Sequence, residues 1–208
     1  MKIVRYIVLG IIVSSIFVCG CGDANNIGNY EKLIQVIKQG FSDGFETVTT
    51  EEIGISYVFN YRSETQGYCY MDLDYDGINE LLLGENGEGA WDNVIYDIFT
   101  MKDGKLIHVI GGGERERYYL IDKEAGVLAN EGSGGAANSF FGYYNYRFSG
   151  LELIEAVIYD SWKNEENPWF YSKDNVSAED AASINEEMAM EIISSYKYKE
   201  IEFTPFLE

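Results

Sequence analysis

The chain has 208 residues, in which 35 Asp+Glu outweigh 15 Lys+Arg for a formal net charge of −20 at pH 7. A surface this acidic repels nucleic acid and anionic headgroups, which excludes nucleic-acid binding and favours cations, basic peptides or neutral ligands. Hydrophobic residues at 46% are ample for one core, and nothing in the sequence repeats to build several.

Residues 1–20 read as a targeting segment. Lys2 and Arg5 form a basic start, and Tyr6 to Val18 an apolar run shorter than the roughly 20 residues a membrane span needs. Val18-Cys19-Gly20-Cys21 is similar to a bacterial lipobox, with cleavage before Cys21 and lipid on its sulfur. The alternatives are an uncleaved anchor or plain secretion; all three put the remaining chain outside the cytoplasm. Beyond Cys21 only Cys69 remains, so the mature chain has no internal disulfide. Cys69 sits among strand aromatics as a small core residue.

Residues 21–28 are the lipidated cysteine and a short tether, and 29–208 a single extracellular domain. A helix is predicted from near Asn29 to just before Gly40, with Leu33, Ile34 and Ile37 on one face and Tyr30 and Phe41 extending the stripe. Ile53 to Tyr61 fits either a short helix or a strand.

Asp72-Leu73-Asp74-Tyr75-Asp76-Gly77-Ile78-Asn79-Glu80 reads D-x-D-x-D-G-x-x-E. Alternate carboxylates at Asp72, Asp74 and Asp76, the Ile78 carbonyl and Glu80 would form an oxygen shell for a hard cation, with Gly77 permitting the turn. Calcium (Ca2+) suits such loose, oxygen-rich geometry. A helix-loop-helix EF-hand needs Glu at its twelfth position, where Leu83 stands. Both flanks, Gln66–Met71 and Ile78–Leu83, look like strands, so the loop resembles the calcium-binding β-hairpins of integrin-type repeats. The alternative is an acidic turn whose carboxylates make only Asx-turns.

Further strands are expected at Val94–Met101, Lys105–Ile110, Arg115–Ile121, Gly126–Asn130, Ser139–Phe148 and Leu151–Tyr159. The turns between them are too short for parallel crossovers and predict an antiparallel meander. Ser177 opens a last helix with Asp180 as capping partner; Ile184, Met188 and Ile192 recur on its apolar face, which Ala181, Ala189, Ile193 and Tyr196 widen. Lys199–Thr204 reads as a closing strand. The fold class is therefore α+β, an antiparallel β-meander with an N-terminal and a C-terminal helix packed on it.

The order of DLDYDGINELLLGEN, VIYDIFTMKDGK, GGERERYYL, NEGSGGAANS, NPWFY and YKYKEIEFTPF resembles a family of cell-surface lipoproteins of Gram-positive gut bacteria. That resemblance implies a membrane-anchored, extracellular location and supports the calcium loop. It carries over no activity and no catalytic residue.

Other candidates for chemistry are sparse. His108, the single histidine, lies in an apolar strand, and no G-x-S-x-G elbow accompanies it. Glu131-Gly-Ser-Gly-Gly-Ala136 lacks the lysine of a phosphate-binding loop and reads as a turn with close packing against the next strand. The function expected is a lipid-anchored binding or interaction protein with one structural calcium ion. Its partners would be the membrane, through lipid on Cys21, and an extracellular protein, cationic peptide or glycan. The alternatives are a glycan- or cell-wall-active hydrolase using paired carboxylates, or an immunity-like protein sequestering cationic peptides.

Overall fold

The computed structural model describes residues 24–121, 126–147 and 150–207. The leader, the lipobox and Cys21 lie outside the described residues, as do residues 122–125 of an expected turn, Phe148 at the end of an expected strand and Ser149 of the turn after it.

Among the described residues the first element is helix α1 (Ala24–Asp43), which starts inside the expected tether, ahead of Asn29, and runs on past Gly40; a single turn, α2 (Thr50–Ile53), and a 3-10 turn over Tyr57–Tyr61 follow. The ambiguous Ile53–Tyr61 stretch thus holds the end of one helical turn and a 3-10 turn, with 54–56 a non-helical link between them and no strand. Short as it is, α2 is held at both ends. Thr49 and Glu52 form a reciprocal capping box, and Gly54 closes the turn with φ 76°.

Eleven strands follow: β1 (Gln66–Met71), β2 (Glu80–Glu85), β3 (Val94–Lys102), β4 (Lys105–Gly111), β5 (Glu116–Leu120), β6 (Val127–Gly135), β7 (Asn138–Arg147), β8 (Gly150–Asp160), β9 (Trp169–Ser172), β10 (Ala182–Ser183) and, after helix α3 (Glu186–Ser195), β11 (Thr204–Pro205). They form one sheet ordered β10-β9-β8-β7-β6-β5-β3-β2-β1-β11, with β4 paired to β3. Every pairing is antiparallel. The α+β meander is the architecture observed.

The meander has one break. β4 lies along Asp97–Lys102 of β3, and β5 returns to the same edge of β3 at Ile95. Gly112 makes the crossing. Its N–H bonds the Tyr96 carbonyl at 2.6 Å, and an added Cβ would sit 2.5 Å from the Glu116 carbonyl oxygen.

Side-chain alternation gives the sheet two covered faces. On one, Tyr30, Leu33, Ile34, Ile37 and Phe41 of α1 join Leu81, Leu83, Tyr96 and Phe99. On the other, Leu82, Ile95, Ile98, Leu128 and Tyr146 pack with Leu73 and Ile201. β2 is buried on both sides, which explains its unbroken Leu81-Leu82-Leu83 run.

Two expected elements are corrected. The last helix begins at Glu186, capped by Asn185, whose Oδ1 accepts the Met188 N–H at 2.8 Å; Ser177 only closes a local turn by accepting the Glu179 N–H. Residues between them are drawn to the sheet edge, where Ala182 and Ser183 pair with Tyr171 and Phe170. Of the expected apolar face Met188 alone turns to solvent this far, while Ile184, Ala189, Ile192 and Ile193 pack with Val157 and Tyr171 as expected. The closing strand is only Thr204–Pro205, paired with Gly67 and Tyr68. Ahead of it, side chains satisfy the backbone: Asn93 accepts the Ile201 N–H and Asn86 donates to the Ile201 carbonyl, each at 2.7 Å. A strap rather than a strand results.

Candidate metal site

Strands β1 and β2 pair from Gln66↔Glu85 to Met71↔Glu80, so residues 72–79 form the tip of a hairpin. Leu73 is 1% exposed and pins the tip to the second core face. Tyr75 (φ 60°) and Gly77 (φ 89°) turn the chain in the left-handed region, which suits Gly77 and is tolerated by the exposed Tyr75.

Two carboxylates fold the loop onto itself. Asp72 Oδ2 accepts the Gly77 N–H at 3.0 Å, and Asp76 Oδ1 accepts the Ile78 N–H at 2.7 Å in an Asx-turn. Glu80 is 1% exposed and reaches back across the hairpin mouth. Its Oε2 accepts the Leu73 N–H and its Oε1 the Thr100 hydroxyl, both at 2.9 Å.

The result is a group of three carboxylates, Asp72, Asp74 and Glu80, each offering an oxygen within 4.8 Å of the others. Asp76 and Ile78 lie on the same loop, beside Glu80 in a cleft of about 370 Å³ whose opposite wall carries Thr100 and Lys102. Asp76 is exposed and stands outside the group of three.

Electrostatics make this arrangement demanding. Burial pushes the Glu80 carboxyl up to about 7, against the opposing pull of its bonds from Leu73 and Thr100; the charges of Asp74 and Asp76 raise it further. Asp72 Oδ1 is buried without a hydrogen-bond partner among the described residues. An orphaned buried carboxylate oxygen costs stability unless a proton or a cation meets it. The donor set consists of hard oxygens, the chemistry that calcium or magnesium accepts, so the residues present fit a divalent ion. Thr100 was not legible as part of the site; its only signal is its place in the strand that neighbours β2.

The remaining candidates take structural roles. His108 Nε2 lies 2.8 Å from Oδ1 of the fully buried Asp97, and its ring stacks on Phe99 at 4.5 Å. Asp97 also accepts the Ser56 N–H at 3.0 Å and the Ser56 hydroxyl at 2.9 Å. The serine and the histidine therefore both address the acid, and the imidazole does not stand between them as a Ser-His-Asp relay requires. Burial pushes the Cys69 thiol up to about 12, so it is no nucleophile at neutral pH. The glycines of the glycine-rich segment end strand β6 and lead into the turn at 136–137, and the expected close packing is present: Gly132 opposes Phe140, whose ring occupies the space a Cβ would need.

Compared with known proteins, the chain matches no family model, no curated protein and no solved structure.

Proposed function

We propose that this protein is a cell-surface binding domain, tethered by lipid on Cys21, whose Asp72–Glu80 hairpin tip is stapled by one calcium ion. In this reading its two longer helices serve as the packing layer of the meander. Asp72, Asp74 and Glu80 are the inner ligands, and Asp76 and the Ile78 carbonyl complete the shell as the loop tightens. The observation that carries the proposal is the convergence of three carboxylates, one of them buried, at the mouth of the β1–β2 hairpin. The leader pattern and the family resemblance supply the location.

The ion neutralises charges that otherwise repel across the loop, and so joins the two strands. Extracellular calcium sites commonly have Kd of about 0.1–1 mM. At a free concentration about 20 times Kd the native state gains about 1.8 kcal/mol. For a domain of this size that raises the melting temperature by roughly 4–7 °C. Thermal melts in EDTA and in millimolar calcium test this. Magnesium should do less, because it sheds water reluctantly and demands a tight octahedron. Asp74→Ala should remove the calcium-dependent shift and leave a folded protein. Identical wild-type melts in both buffers would reduce Asp72–Glu80 to an acidic turn. Separately, Cys21→Ser should release the protein from the membrane fraction or block its maturation; unchanged retention with normal processing would reject the lipid anchor.

A further inference from the structure

The β1–β2 hairpin has a second end, five residues along β2 from Glu80, and there the surface has a different chemistry. Glu85 closes β2 beside a cleft of about 240 Å³ whose walls include Tyr61, Ser63, Trp91 and Glu114, with Val58 at its side. Large rings stand unusually open around it: Tyr57 is 72% exposed, Tyr61 61% and Trp91 36%. No lysine or arginine lines the cleft, and neither Glu85 nor Glu114 has a salt-bridge partner among the described residues.

These groups are held in place. The Tyr61 hydroxyl donates to Glu114 Oε1, while Glu85 accepts from the Thr65 hydroxyl at 2.8 Å and the Tyr96 hydroxyl at 3.1 Å. Trp91 sits on a closed turn: its carbonyl accepts the Gly87 N–H at 2.9 Å, and the preceding Ala90 carbonyl accepts the Tyr119 hydroxyl at 3.0 Å. Pre-set walls lower the ordering cost of binding.

We propose that this cleft binds a guanidinium group, the side chain of an arginine presented by a basic peptide. Aromatic faces carry negative potential and attract cations, and a planar guanidinium both stacks on rings and forks to carboxylates. The protein already uses Trp91 in this way: the Arg117 guanidinium lies 5.5 Å from its ring centroid. The cleft has room for one such side chain, and the net charge of −20 draws basic peptides toward it. The site is independent of the calcium loop.

The test uses the full chain in mild detergent, labelled with 5-fluorotryptophan, so that fluorine NMR reads Trp91, Trp162 and Trp169 separately. The probe is acetyl-Gly-Arg-Gly-amide, and its neutral control carries citrulline in place of arginine. The expected result is a saturable shift of the Trp91 resonance by the arginine peptide alone. Glu114→Gln should weaken that binding about tenfold, the scale of one charge-assisted contact. Glu165→Gln removes the same charge near Trp162 and should leave the affinity unchanged. Both glutamates are exposed, so neither change threatens folding. Equal binding of the citrulline peptide, Trp162 moving in step with Trp91, an unaltered Glu114→Gln variant, or no saturable shift would each overturn the proposal.

Discussion

Glu80 shows how much one residue is asked to do. It opens β2 with almost no exposure, beside two other carboxylates, and ties the hairpin tip at Leu73 to β3 at Thr100. Its carboxyl is raised to about 7, chiefly by burial. For an acid raised in the folded state, stability is fully present below the ordinary range near 4.5 and is lost as pH rises through 7. In EDTA the melting temperature should therefore fall between pH 5 and pH 8. Calcium must displace the proton, so its stabilising effect should grow over the same interval. Melts at several pH values with and without calcium decide this, and parallel profiles would sink the coupling. Cys69 gives a second residue-scale test. A thiol pushed up to about 12 by burial should resist iodoacetamide at pH 8 in the native protein and react promptly in denaturant. Comparable rates in both would show that the strand opens far more readily than its packing implies.

At the level of elements, the crossing from β4 to β5 is the most specific demand on sequence. Gly112→Val should destabilise by about 1–3 kcal/mol, as overpacking does, lowering the melting temperature by roughly 2–4 °C for each kcal/mol. Gly113→Val next door should be tolerated, since no atom lies within 4 Å of its added Cβ. Equal melting of the two variants would mean that the crossing is not a tight fit. Such contrasts mark the boundary of what sequence reveals. Strands from β1 to β8 were legible because each alternates or runs apolar between local turn signals. Asp72, Asp74 and Glu80 were legible for the same reason: a hairpin tip is specified by nine consecutive residues. What depends on distant partners was not. Thr100 arrived from β3, and the α3 start was displaced by a pairing of Ala182 and Ser183 with β9. The α3 stripe departed from expectation at Met188, which the surface it covers leaves exposed beside the buried Ala189.

Across the whole molecule, acidity and topology act together. A net charge of −20 keeps copies apart in solution, while each end of the long sheet path finishes in a two-residue strand, β10 or β11. The strap that leads to β11 has a consequence in time. Its anchor at Ile201 is held by Asn86, 115 positions away along the chain, whereas β1, β2 and β3 need only their neighbours. Closing so long a loop is entropically slow, so the strap should dock after the hairpins have formed. Pulse-labelled hydrogen exchange should find the Phe206 N–H, bonded to the Gln66 carbonyl at 3.0 Å, protected later than the amides of β2. Simultaneous protection would refute that order. Until it docks, the outer edge of β1 is an open row of donors and acceptors, and a nascent copy is recruitable by another. Afterwards Thr204 and Pro205 cover β1 at Gly67 and Tyr68, and Pro205, which has no N–H to offer, narrows the window for misassembly.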